Sequence, residues 1–250
     1  MVHHRNDRAR QPEALAGEAV NTLSPNPDRS EMASTLTRGS EADGVDLQRA
    51  ALIIQDLQND AVHEAGAFGA TGAAAHARSQ NVVANVTSLA AACRAASVPV
   101  VHVWYIVEPG AAELKQNARL FVDVREAKAN VRGTWGAAPV EGLEPVKGDF
   151  VVEKLRMNAF YGTKLDALLN GLGVQTVIVA GAWTNMSIEH TARHAADAGY
   201  RVIVVSDGTS SLNAEWQSAA LNYALTQVAT IASCREVASA LLRYRRAEEI

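Results

Sequence analysis

Short apolar runs alternate with segments of helical periodicity from Leu47 to the end of the chain. Ala50–Ile54 reads as a first buried strand, followed by a loop and a long Ala-rich helix over about Ala73–Ala96. Val98–Tyr105 reads as a second strand, apolar enough to be covered on both faces. A less regular stretch then runs to about Lys147, with a short helix near Ala111–Val122. Asp149–Glu153 predicts a third strand, Lys164–Gly171 a helix, and Thr176–Ala180 a fourth strand. The helix Ile188–Ala198 stops at Gly199, a residue suited to a C-cap. Arg201–Val205, Glu215–Leu225, Ala229–Ala232 and Glu236–Tyr244 complete the alternation as strand, helix, strand and helix. This order predicts an α/β fold: a three-layer, doubly wound sandwich with a mostly parallel six-stranded sheet and helices on both faces.

The first 46 residues break the pattern. They contain no Phe, Tyr, Trp or Ile and are rich in Arg, Glu, Asp, Ser, Asn and Pro, so they cannot bury enough apolar surface to offset their ordering entropy. Residues 1–46 are therefore expected to form a disordered tail and residues 47–250 the folded domain. The chain has 250 residues, 48% hydrophobic and 20% charged, with a net charge of −4. That balance gives no reason to expect nucleic acid or an anionic membrane as partner. No apolar run reaches the ~18–20 residues needed to span a bilayer, and the N-terminus lacks the apolar core of a secretory signal. Cys93 and Cys234 stand far apart without metal-ligand spacing, as buried thiols of a reducing compartment would. A cytoplasmic protein is expected.

In a doubly wound sheet the ligand lies beyond the carboxyl ends of the strands. Three reactive groups fall at such ends. Asp56 closes Ala-Leu-Ile-Ile-Gln, Lys154 closes Phe-Val-Val-Glu, and Ser187 sits where the strand Thr176–Ala180 turns into a helix. A partly desolvated carboxylate has a pKa raised toward the range useful for proton transfer. The lysine can hold it charged or stabilise developing negative charge. A helix N-terminus beside a serine offers unpaired N–H groups to an oxyanion. Alone, each has an ordinary structural explanation, as a turn cap or a solvated lysine. Neither GxGxxG nor GxxxxGK[ST] occurs, so no nucleotide-phosphate cradle is expected.

Three stretches together carry a family resemblance: Leu-Ile-Ile-Gln-Asp-Leu-Gln-Asn-Asp (52–60), Val-Val-Glu-Lys (151–154) and Gly-x-x-Thr-Asn-x-Ser-x-x-x-Thr-Ala-Arg (181–193). From about Ala50 to Leu242 the chain resembles the isochorismatase-like hydrolase superfamily. That superfamily includes nicotinamidases, N-carbamoylsarcosine amidohydrolase and ureidoacrylate amidohydrolases. The resemblance implies hydrolysis of a small amide, carbamoyl or ureido compound. It matches Asp56 and Lys154 to the catalytic Asp and Lys. The backbone N–H groups of Ser187 and of Trp183, after a bond usually cis in the family, match the oxyanion hole.

Ser187 occupies the place of the family's cysteine. A hydroxyl needs a stronger, better-placed base than a thiol, and His190, one helical turn on, is the one histidine near enough in sequence to be considered. Three explanations stay open: a Cys→Ser variant of a cysteine amidase, a serine enzyme served by Asp56 and Lys154, or a homologue without a covalent intermediate. Isochorismatases proper set the pattern for the last, with Asp56 as acid on an ether; a catalytically silent binding homologue is the non-enzyme alternative. No cofactor is expected. Nicotinamidases carry Asp-x-His after the second strand, where this chain reads Trp-Tyr-Ile-Val-Glu-Pro with His102 inside the strand, so no metal site and no nicotinamide specificity are expected.

Aromatic residues near the crevice loops suggest substrate-binding walls: Trp104, Trp135, Phe160, Tyr161 and Trp183, with Asn158 as an amide-recognising group and Arg132 as a carboxylate-recognising one. Asn185 reads as a support for the turn. The expected partner is a small-molecule substrate. Family members are commonly dimers or tetramers, and 108–147 and Ile188–Ala198 suit such homo-oligomer contacts.

Overall fold

The computed structural model describes residues 47–248, so the tail expected over 1–46 lies outside the described residues. Six parallel strands form one sheet in the order β3-β2-β1-β4-β5-β6. They are β1 (Ala50–Gln55), β2 (Val100–Tyr105), β3 (Phe150–Lys154), β4 (Thr176–Ala182), β5 (Arg201–Ser210) and β6 (Thr230–Ala232). Strand alternation divides the apolar residues between two faces. Leu52, Ile54, Ile178, Ala180, Ile203 and Val205 share a core with Val86, Leu89, Val237 and Leu241. Ala51, Ile53, Val177, Val179, Val202 and Val204 share another with Leu165, Leu169, Ala192 and Ala195. Both faces are therefore covered by helix, which explains the near-continuous apolar runs of the central strands.

The helices are α1 (Asn59–Val62), α2 (Ala73–Ser79), α3 (Val82–Ala95), α4 (Arg119–Glu126), α5 (Leu165–Gly171), α6 (Glu189–Asp197), α7 (Ala214–Ala219) and α8 (Cys234–Glu248). The single helix expected over Ala73–Ala96 is two, because Asn81 adopts a left-handed φ of 54°, which asparagine tolerates better than most residues. The Asn85 side chain seals the break by donating to the carbonyls of Gln80 (3.1 Å) and Asp207 (2.8 Å). The helix expected near Ala111–Val122 begins only at Arg119. Both cysteines are buried free thiols, and burial pushes Cys93 up to about 12.

Strand order reverses direction at β1, whose neighbours are β2 on one side and β4 on the other. The crevice of such a sheet opens there. At the β4 side, Gly181 has φ of 135°, and a Cβ on it would stand 2.0 Å from the Gln55 carbonyl oxygen. The pairing with β5 also slips between Val179 and Gly181. We expect Gly181→Ala to drive β4 off β1 and to cost about 3 kcal/mol or more, read as a lowered urea midpoint.

Candidate active site

β1 ends in Gln55, and Asp56 follows at a left-handed φ of 56° while its N–H still donates to the Val103 carbonyl (2.9 Å). The carboxylate thus leaves the sheet at the crevice on a pinned, strained backbone. Lys154 ends β3, two strands away. Its side chain crosses β2, passing 5.1 Å from the Tyr105 ring centroid. There its Nζ lies 2.7 Å from Asp56 Oδ2. The same nitrogen donates to the carbonyls of Arg156 (2.9 Å) and Met157 (3.0 Å), and stands 3.4 Å from Ser187 Oγ.

Burial pushes the Asp56 carboxyl above its ordinary value, against the opposing pull of Lys154, Ser187 and Gln55. Burial also pulls Lys154 below its ordinary value, with Asp56 opposing. Three oxygens within 3.0 Å of Nζ occupy the three donors of an ammonium, so the geometry favours the charged lysine despite that shift. Asp56 Oδ1, by contrast, is buried without a hydrogen-bond partner among the described residues. The pair therefore keeps one carboxylate oxygen free to accept a proton.

The turn carrying Ser187 is built by its neighbours. The Ala182–Trp183 peptide bond is cis, and a π-helical turn over Thr184–Ile188 runs into α6. Gln55 ties the loops together from below by donating to the carbonyls of Met157 (2.8 Å) and Ser187 (3.3 Å). The Thr184 hydroxyl donates to Gln217, whose amide donates to Thr209 Oγ1 (3.0 Å), and Asn185 pairs with the Ser211 hydroxyl. These bonds anchor the turn to the polar extension of β5. Asp56, Ser187 and Trp183 line one narrow cleft, whose remaining wall is chiefly apolar. The Trp183 ring is fixed there by Nε1 donating to the Ala61 carbonyl (3.2 Å) and by edge-on contact with Phe68.

Residues 50–236 match the isochorismatase domain. The chain belongs to the isochorismatase family. Among curated isochorismatase-family relatives it is similar to ureidoacrylate amidohydrolase RutB of Methylorubrum extorquens, with 32% identity over 191 residues, covering 71% of this chain and 76% of the relative. It is also similar to RutB of Pantoea ananatis, with 30% identity covering 79% of this chain and 83% of the relative. Among solved structures, a cysteine hydrolase from Pseudomonas syringae pv. phaseolicola superposes with a TM-score of 0.71 and 25% identity, covering 80% of this chain and 95% of that one.

Within this isochorismatase domain the three strand-end groups converge, but the expected substrate wall does not assemble around them. Of Trp104, Trp135, Asn158, Phe160, Tyr161 and Trp183, only Trp183 lines the cleft. Trp104 leaves β2 on the face opposite Tyr105 and meets His102 edge-on. Trp135 is exposed against His63. Asn158 accepts from the Phe160 N–H and contacts His194, Phe160 stacks on His194, and Tyr161 is exposed. Arg132 is held by Glu108 and Glu153 outside the cleft. The His190 ring turns to the Met186 carbonyl (2.9 Å), on the exposed side of its helix. Among the described residues no three His, Cys, Asp or Glu groups gather as a metal ion requires.

The loop after β1 has a positioning part that its sequence did not reveal. Gln58 clamps the Tyr105 main chain, accepting from its N–H (2.8 Å) and donating to its carbonyl (3.0 Å). Asn59 donates to the Trp135 carbonyl (2.8 Å). Asp60 accepts from the N–H groups of Ala67 (2.9 Å) and Asn130 (2.7 Å). The run Gln-Asn-Asp therefore holds the far wall of the cleft in place. Nothing local marked that role: the burial of three polar residues after an apolar strand shows only in the structure, where each finds its partner.

Proposed function

We propose that the chain hydrolyses the C–N bond of a small amide, carbamoyl or ureido compound, with Ser187 as nucleophile. One observation carries this reading: an unpartnered Asp56 carboxylate oxygen and the Ser187 hydroxyl at the floor of one apolar cleft, beside a buried ammonium. Asp56 Oδ1 takes the hydroxyl proton as Ser187 Oγ bonds to the carbonyl carbon. The carbonyl π electrons move to oxygen, which the N–H groups of Trp183 and Ser187 receive. As the C–N bond breaks, the proton on Asp56 passes to the leaving nitrogen, which departs as ammonia or an amine. Water, giving its proton to the same carboxylate, then attacks the ester and releases the acid or carbamate, and the proton returns to Ser187. Lys154 keeps Asp56 oriented and offsets the negative charge of each step. The names of the ureidoacrylate amidohydrolase relatives favour the same bond.

Ammonia release from a panel of neutral and acidic amides and ureides tests this. Asp56→Asn is expected to lower kcat by about 10³-fold, within the range of a positioned general base. Ser187→Ala is expected to lose activity with it. Full activity in Ser187→Ala together with loss in Asp56→Asn is the signature of non-covalent hydrolysis by Asp56. No release by the wild type from any member of the panel contradicts both readings.

A further inference from the structure

Five buried side-chain atoms among the described residues have no hydrogen-bond partner, and three of them belong to residues that line the cleft of Ser187. One is the Asp56 oxygen already assigned. The others, the Tyr105 hydroxyl and Asn130 Oδ1, have no part in the mechanism above. Both residues are at least nine-tenths buried, with 5% and 6% exposure. Their main chains are fully tied down. Tyr105 is clamped by Gln58, while Asn130 donates its N–H to Asp60 and accepts at its carbonyl from Val107 (2.9 Å). Asn130 is also held at a left-handed φ of 54°. The fold thus fixes both residues firmly and leaves their polar ends unsatisfied, which is costly unless a ligand completes them.

The charge of that ligand is constrained as well. Phe68, Leu120, Val124 and Met157 supply apolar wall, and no Arg, Lys or His among the described residues lines the cleft. Lys154 spends its donors on Asp56 and two carbonyls beneath it. Arg132 is committed to Glu108 and Glu153, and Arg156 to the Phe121 ring and the Lys115 carbonyl. A substrate carboxylate would lose its hydration beside an Asp56 carboxylate whose close cation, Lys154, is already committed to it, and no further cation lines the cleft.

We propose that the cleft selects an uncharged substrate, a small amide or ureide whose non-reacting end is a second neutral N–H-bearing polar group received by Asn130 Oδ1 and the Tyr105 hydroxyl. For the reacting end this rests on the amidohydrolase reading above. Burial and the nearby Asp56 charge keep the Tyr105 phenol protonated far above its ordinary range, so it can donate to a carbonyl while Asn130 accepts an N–H. A carboxamide or urea presents that pair of groups together.

Matched probes of equal size decide it: succinamide against succinamate, and N-carbamoylglycinamide against N-carbamoylglycine. In wild type the neutral member of each pair is expected to have the higher kcat/KM by at least about tenfold, because an unpaired buried polar site rejects a mismatched ligand strongly. Tyr105→Phe, and Asn130→Gly, chosen because glycine accepts the left-handed backbone, are each expected to raise KM for the neutral probe about five- to tenfold with kcat little changed. Equal or better use of the acids overturns the proposal, as does an unchanged neutral-to-acid ratio in both variants. Titration calorimetry on the same probes separates this from the hydrolase reading. Neutral-selective binding that weakens in the variants upholds the proposal even where no ammonia is released. Binding without that selectivity, or no binding of either probe, overturns it.

Discussion

Ser187→Cys is expected to hydrolyse a neutral amide at least about 10²-fold faster than the serine form, measured as kcat/KM for ammonia release. The argument lies in the proton. A buried carboxylate remains a weak base for an alcohol even after burial has pushed its pKa up, as it does at Asp56. A thiol starts with an acidity much closer to that of the carboxyl. Lys154 Nζ, 3.4 Å from the hydroxyl oxygen, favours a thiolate in the same place. The substitution keeps the side-chain geometry and adds only the larger sulfur radius, which the neighbouring cleft can take up. An acyl-enzyme detected by mass spectrometry in Ser187→Cys would fix the covalent order of events. A cysteine form no faster than the serine form would mean that attack at this position does not limit the rate, and would move the chemistry toward Asp56 acting on water.

The chemistry of the site was easier to read from the sequence than its walls, for a physical reason. Asp56, Lys154 and Ser187 each interrupt or terminate a run of residues that must be buried, so their anomaly is visible locally. A parallel sheet then brings such positions together by topology alone. Wall residues carry no such mark. Tyr105 looks like any aromatic strand residue, and the alternation that sends Trp104 away from the cleft and Tyr105 into it depends on the register of β2 against β1 and β3. Asn130 lies in a stretch without periodicity, placed by a bond to Asp60 seventy residues away. The aromatics chosen by type, Trp135 and Tyr161, are exposed instead. Helix limits failed for a similar reason: the break at Asn81 is fixed by the bond between Asn85 and the Asp207 carbonyl, a partner from the other end of the chain.

The Asp56–Lys154 pair should also cost the fold stability, and removing both charges should return it. Asp56 is raised above its ordinary value by burial, so between the unfolded value and the raised one the folded chain holds more protons. Its contribution therefore falls as pH rises through that window. Lys154 is lowered, so between the lowered value and its ordinary one the unfolded chain holds more protons, and stability climbs again as pH rises there. The charged pair is thus a trough at the intermediate pH where the proposed catalysis needs it. Lys154→Met alone leaves a buried carboxylate unpaired and is expected to cost about 3–5 kcal/mol at neutral pH. The double variant Asp56→Asn with Lys154→Met removes both desolvation penalties while asparagine keeps the left-handed backbone. It is expected to be as stable as wild type or up to about 4 kcal/mol more stable, and to lose the trough. Urea unfolding across the pH range measures all three proteins. A double variant less stable than wild type, or one with an unchanged pH profile, would mean that the attraction across 2.7 Å outweighs the loss of hydration. The stabilised double variant would be catalytically inert, because the same dry, crowded setting that penalises the two charges is what raises the basicity of the carboxylate that the proposed chemistry needs, weak as that base remains toward an alcohol.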